Sequence, residues 1–194
     1  MGRLHTSHHP PVVIIDAQDH DTPGALNQLL PNAHVIPQPQ PDGVANALLL
    51  AQPFLDDVVL VTLGDVYWDG TFATLPRDPA LVVWRDAPPA ETRKNFGVSA
   101  GSNGFVVEVI EKPIDCHGLS CGMGVYVLTR PVISCFQDAP VDSRTGERGI
   151  TGGIQAAIDA GITFRAIRFS GYYNNVNSRS DVIAVEDHIA QLAR

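Results

Sequence analysis

The run Val58-Val59-Leu60-Val61-Thr62-Leu63, followed at once by Gly64-Asp65, constrains this chain more than any other stretch. It shows no alternation of apolar and polar residues. That is the pattern of a strand buried on both faces, hence a central strand of a mostly parallel sheet. In open α/β sheets, ligands collect outside the carboxyl ends of the strands. A carboxylate there, on a glycine turn that lets a ligand approach the backbone, suits a bound cation. The same spacing also describes a strand ending in a turn whose Asp bonds its own backbone.

Around this stretch, apolar runs alternate with segments of helical spacing. Val12 to Ile15, His34 to Ile36, Ala80 to Trp84, Cys121 to Leu128 and Thr163 to Phe169 read as strands. Thr22 caps a short helix. Asp42 caps a second, opened by Gly43, with Val44, Ala47, Leu48, Ala51 and Phe54 on one face. Tyr67 to Gly70 reads as a turn, and Phe72 to Leu75 as a short helix. Ser102-Asn103-Gly104 is a hairpin turn. Thr151 caps a helix that ends before Gly161. Ser178, with Asp181 three residues on, forms a capping box for the last helix, whose inner face is Val182, Val185, Ile189 and Leu192. The alternation indicates βαβ units and a twisted, mostly parallel sheet flanked by helices. A flexible leader over 1–11 precedes a single domain over 12–194. The leader's His5, His8 and His9 could bind metal, but chain ends are commonly loose.

Composition narrows the functions. A net charge of −8 argues against a nucleic-acid backbone as partner, so phosphates must be met locally by a few Lys, Arg or backbone N–H groups, or by a metal. No apolar run approaches the length of a membrane span, and the N-terminus lacks a signal-peptide core, which reads as cytoplasmic. The cysteines are three, an odd number, and read as reduced thiols of a cytosolic protein.

Several stretches then fall in a telling order: Gln38-Pro39-Gln40-Pro41-Asp42-Gly43-Val44-Ala45, Leu63-Gly64-Asp65, Phe96-Gly97-Val98, Glu111-Lys112-Pro113, Gly124-Val125-Tyr126, Gly146-Glu147 and Tyr172 to Asp181. Together they resemble the sugar-1-phosphate nucleotidylyltransferases, from about Val12 to the C-terminus. The resemblance implies a Rossmann-like (GT-A-like) nucleotidyltransferase fold, with NTP and a sugar 1-phosphate as substrates and Mg²⁺ as cofactor. It implies that Gln38 and Gly43 face the nucleobase, that Asp65 binds Mg²⁺ and that Gly97 lies along the sugar phosphate. Glu111 and Lys112 would hold the sugar hydroxyls and phosphate, with Asp65 and Lys112 at the centre of catalysis, and Glu147 would also meet the sugar.

There are two departures. The family's first strand and its Gly-rich, Arg-bearing loop have no match here, so the domain reads as N-terminally truncated. The sheet would then be completed by a homo-oligomer or a partner chain. Asn175 stands where the family carries a second metal-binding Asp; its amide oxygen can ligate without bringing charge. Locally, Asn175-Val176-Asn177-Ser178 is also similar to the molybdenum-cofactor guanylyltransferases. The expected activity is nucleotidyl transfer to a sugar 1-phosphate, dependent on a partner chain. The alternative is an inactive homologue that binds a sugar phosphate or regulates.

Overall fold

The computed structural model describes residues 10–143 and 145–193; His5, His8 and His9 lie outside them. The strands are β1 Val12–Asp16, β2 His34–Gln38, β3 Val58–Thr62, β4 Val66–Phe72, β5 Ala80–Trp84, β6 Phe96–Ala100, β7 Val106–Glu111, β8 Ser120–Thr129 and β9 Arg165–Asn175. The helices are α1 Thr22–Leu29, α2 Val44–Ala51, α3 Pro89–Lys94, α4 Arg130–Cys135, α5 Ile150–Asp159 and α6 Arg179–Leu192. Contacts divide the chain into two compact units. The first is built from Leu60–Leu128 and Thr163–Arg194, the second from the residues up to Val59 and Thr129–Ile162.

The first unit is organised on a sheet of order β4-β9-β5-β8-β6-β7, with β3 pairing β8 off that path. The class is α/β, but the sheet is mixed rather than mostly parallel. β5 and β9 run parallel. The β4–β9, β5–β8, β6–β7 and β6–β8 pairs are antiparallel. The β6–β7 pair is antiparallel because its connection is a tight hairpin, whereas a parallel crossover needs about a dozen residues or more. Within that hairpin Asn103 Oδ1 accepts from the Phe105 N–H at 3.1 Å, and Gly104 takes a positive φ of 80°. An unalternating run such as Leu81-Val82-Val83 records burial on both faces and says nothing of strand direction.

Two further expectations give way to the structure. Residues 66–72 form strand β4, not a turn and helix; they pair residue by residue with β9 from Val66↔Asn175 to Phe72↔Phe169. β3 is not buried on both faces: its exposure alternates, with Leu60 40% exposed.

The core of this unit is Val82, Met123, Val125, Phe169 and Tyr173, with Val66, Trp68, Trp84 and Ile167 packed on it. Cys121 lies fully buried, and burial pushes its thiol up to about 12. Cys116 and Cys135 are partly exposed. Since the thiolate is the reactive form, native iodoacetamide labelling at pH 8 should modify Cys116 and Cys135 and leave Cys121 on the order of a thousandfold slower than an ordinary thiol. Peptide mass mapping before and after unfolding checks this; native labelling of Cys121 would refute it.

Helix α6 starts as its sequence directs. The Ser178 hydroxyl accepts from the Asp181 N–H at 3.3 Å, and the Asp181 carboxylate accepts from the Asn177 N–H at 3.1 Å. The hydroxyl of Ser178 also donates to that carboxylate, which holds Asp181 below the usual carboxylate range. A depressed folded value stabilises above the ordinary range and is lost as pH falls through it. Ser178→Ala should cost about 1 kcal/mol, lowering Tm by roughly 3 °C at neutral pH, with the deficit shrinking in acid. Thermal melts by circular dichroism at two pH values measure it. The expected inner face of α6 is not covered: no residue of the helix is buried, and Ile189 and Leu192 are 47% and 58% exposed. Helical spacing shows which residues share a stripe, not whether anything packs on it. The helix is held instead by His188, stacked on Tyr172 at 3.9 Å and 3.2 Å from an Asp69 carboxylate oxygen.

In the second unit, β1 and β2 form a two-stranded parallel sheet, and α2, α4 and α5 bury Ala45, Leu48, Ala51, Val132, Ile133, Ile154 and Ala157. Gly153 is required by packing: a Cβ there would lie 2.5 Å from the Phe136 ring. Thr151 is buried inside α5, whose N-cap is Gly149.

Candidate functional site

In the first unit, several of the residues singled out by sequence are joined by hydrogen bonds. Asp65 sits on the exposed turn between β3 and β4. Its backbone carbonyl accepts from the Val176 N–H at 2.7 Å, and Asn175 is the register partner of Val66. The turn is thus fastened by the chain that follows β9, leaving the Asp65 side chain in solvent. The Asn175 amide donates from Nδ2 to Asn95 Oδ1 at 2.7 Å. Tyr173 donates its hydroxyl to the same oxygen at 3.3 Å, and Asn95 Nδ2 donates to the Glu91 carbonyl at 2.9 Å. The Asn95 carbonyl accepts from the Lys112 N–H at 3.0 Å.

Lys112 is, among the described residues, the one non-glycine with positive φ, at 42°. Such a conformation costs of order 1–3 kcal/mol and needs surroundings that impose it. The bond that its N–H gives the Asn95 carbonyl and the proline that follows are the restraints in view. The lysine side chain is exposed, as is that of Glu111 at the end of β7. Gly97 in β6 is buried; a Cβ there would lie 2.6 Å from a terminal methyl of Leu119 and 3.2 Å from Pro113, so packing alone already favours a small residue.

Two polar atoms in this unit are buried without a partner: the hydroxyl of Tyr126 and Oδ1 of Asn175. An orphaned buried donor or acceptor costs about 1–3 kcal/mol. Tyr126 is a core residue, stacked at 6.0 Å on Phe96, and burial drives its hydroxyl well above its ordinary range; Tyr173, Glu111 and Asp65 add to the effect. Tyr173 is raised in the same direction, again chiefly by burial. Both hydroxyls therefore stay protonated donors at neutral pH. The sequence alone does not mark Asn95 as a site residue. Its one signal is a polar residue directly before the apolar strand Phe96-Gly97-Val98, at the end of α3.

In the second unit, Gln38 at the carboxyl end of β2 donates to the Asp42 carboxylate at 2.6 Å and to the Gly43 carbonyl at 3.3 Å. Asp42 is therefore not the N-cap expected of it. Gly43 takes that place, with φ at 105°, and its missing side chain admits the Arg148 carbonyl. Gln38, Pro39, Gln40, Asp42, Asn46 and Leu50 line a cleft of about 460 Å³. Glu147 is exposed on the loop before Arg148, whose backbone brackets the start of α2: the Arg148 N–H donates to the Asp42 carbonyl, and the Arg148 carbonyl accepts from the Ala45 N–H. Gln38, Gly43 and Glu147 thus belong to one unit, and Asp65, Gly97, Glu111, Lys112 and Asn175 to the other.

With this geometry in view, comparison with known proteins is decisive for the family. A sequence profile described as "Nucleotidyl transferase" matches residues 10–191. The chain is a member of the nucleotidyl transferase family. It is 31% identical over 159 residues to a glucose-1-phosphate thymidylyltransferase of Streptomyces griseus, covering 77% of this chain and 43% of that protein. It is 24% identical over 160 residues to the bifunctional protein GlmU of Methanocaldococcus jannaschii, covering 82% of this chain and 38% of that one. The chain thus spans less than half the length of these relatives. Among solved structures, the inositol-1-phosphate CTP transferase from T. maritima superposes with a TM-score of 0.70 at 20% identity, over 88% of this chain and 71% of that one. A UDP-glucose pyrophosphorylase complexed with UDP-glucose gives 0.68 at 15% identity, over 90% and 74%. These likenesses establish the Rossmann-like nucleotidyltransferase fold.

Proposed function

We propose that this chain transfers a nucleotidyl group from an NTP to a sugar 1-phosphate with release of pyrophosphate, in company with a second chain. Family membership supports the reaction class, and the sugar phosphates in the relatives' names support the substrate class. The observation that carries the reading is that Asp65 ends the turn before β4 while Asn175 closes β9 opposite Val66, the residue after Asp65. One offers an exposed carboxylate; the other has an amide oxygen buried without a partner. That donor set suits Mg²⁺, which takes one or two protein oxygens and fills its octahedron with phosphate oxygens and water. When bound, Mg²⁺ supplies charge neutralisation at the triphosphate.

The rest falls to the chain. A phosphate oxygen of the sugar 1-phosphate attacks the α-phosphorus in line. A new P–O bond forms as the bond to the bridging oxygen breaks, and pyrophosphate leaves with the electron pair. Lys112 presents a point charge to the nucleophile's phosphate, beside Gly97. Glu111, in the same unit, offers a carboxylate to sugar hydroxyls; in the second unit, taken by itself, Glu147 offers a carboxylate, and Gln38 and Gly43 offer amide and backbone edges to a base. Positioning and charge neutralisation provide the rate. The second chain is supported by β1, which pairs β2 alone among the described residues and so keeps an open edge.

Pyrophosphate release from each NTP, with a panel of sugar 1-phosphates and Mg²⁺, tests the reading. No release above buffer, by the chain alone and with a full-length homologue added, would retire it. A second reading, a non-catalytic subunit that binds sugar phosphate, is favoured by the single carboxylate: among the described residues no three His, Cys, Asp or Glu gather. Calorimetry separates the two, since that subunit would bind sugar phosphate but no Mg·NTP.

A further inference from the structure

We propose that Asn95 is a positioning residue that fixes which atom of the Asn175 amide is free. The inference rests on the reading of Asn175 as a ligand given above.

Donor and acceptor types fix the orientation of each amide. The Glu91 carbonyl is an acceptor only, so the Asn95 group facing it at 2.9 Å must be the NH₂. The opposite side of the Asn95 amide is then its oxygen, which accepts from the Tyr173 hydroxyl and from Asn175 at 2.7 Å. The Asn175 group facing that oxygen must be its NH₂, and the group left over must be Oδ1, the buried oxygen with no partner. A relay of three amide dipoles thus begins at a backbone carbonyl of α3 and ends in an unpaired acceptor beside the Asp65 turn. Turning either side-chain amide over would set oxygen against oxygen. The backbone of Asn95 simultaneously accepts from Lys112, the strained residue. Asn95 is 8% exposed, and this role does not need it to touch a ligand.

The relay also explains why an amide suits position 175. Asn175→Asp adds a charge that a cation would favour, but the carboxylate has no hydrogen to give Asn95 Oδ1 at 2.7 Å. On charge alone the substitution should tighten cation binding; in the relay it should lower Tm without tightening it.

The test uses the full chain and its Asn95→Leu, Asn95→Asp and Asn175→Asp variants. ¹⁵N correlation spectra follow the Asn175 NH₂ resonances, and the EPR signal of free Mn²⁺ reports cation binding. Asn95→Asp keeps the acceptor for Asn175 but has no hydrogen for the Glu91 carbonyl, so it should keep those resonances within the folded range at a lower Tm. Asn95→Leu should collapse them toward free-amide positions and weaken Mn²⁺ binding roughly 10- to 100-fold, the usual consequence of losing a support behind a ligand. A merely structural role would lower Tm in both variants and leave the resonances and the affinity of the folded protein unchanged. Unaltered Asn175 resonances in Asn95→Leu, or tighter Mn²⁺ binding in Asn175→Asp, overturn the proposal. If the parent chain transfers no nucleotide yet shows the Asn95-dependent signals, the reaction reading fails and the positioning role stands.

Discussion

Asp65→Asn should reduce pyrophosphate release at least about a hundred- to a thousandfold and leave the melting temperature unchanged. The two halves of the result have separate causes. The substitution removes the one charge in the donor set proposed for Asp65 and Asn175, and charge stabilisation at a phosphoryl centre is worth that much per group in sites of this kind. Stability should not move, because the Asp65 carboxylate is exposed and takes no hydrogen bond among the described residues, while the bond that fastens its turn is made by its backbone carbonyl to Val176. Coupled assays across a Mg²⁺ titration, with a thermal melt of each protein, provide the check. A variant that keeps more than a tenth of the parental rate at every Mg²⁺ concentration would remove Asp65 from the site.

Gly43→Ala should destabilise the protein by about 3 kcal/mol or more, a fall in Tm of roughly 10 °C. Glycine at φ 105° is unstrained; alanine there is not. The added Cβ would also lie 2.3 Å from the Arg148 carbonyl oxygen, which is backbone and cannot swing aside. The same carbonyl accepts from Ala45 at the head of α2, so relieving the clash breaks the bond that starts the helix. Gly24→Ala is the matched control. Gly24 lies inside α1, nothing stands within 4 Å of the place a Cβ would take, and alanine there should stabilise by about 0.5–1 kcal/mol. Chemical denaturation of both variants decides the matter; equal stability would show that the Gly43 turn relaxes freely.

The two readings that failed most clearly, strand direction and the cover over α6, share a cause. Leu81-Val82-Val83 and Val58 to Leu63 carry the same apolar signature, yet the first is buried and the second half exposed. Side-chain pattern reports what a segment tolerates on its faces; which strand lies beside it, and in which direction, is settled by connections and by competing partners elsewhere in the chain. Tyr67-Trp68-Asp69-Gly70 read as a turn for the same reason. Its composition has turn residues, and β9, its partner in the structure, lies about a hundred residues on.

What the residues alone determined about this protein was local: the α/β class from alternating strand and helix patterns, the hairpin at Ser102-Asn103-Gly104, the capping box of Ser178 and Asp181, and the acid placed just past the strand that ends at Thr62. Each depends on neighbours in sequence, where steric and hydrogen-bonding preferences act without help. The tertiary structure alone decided the mixed sheet, the close approach that makes Gly43 obligatory, and the relay from Glu91 through Asn95 to Asn175. Those depend on groups far apart in sequence meeting at hydrogen-bond or contact distance, and a donor gains its meaning only from the acceptor that folding sets against it.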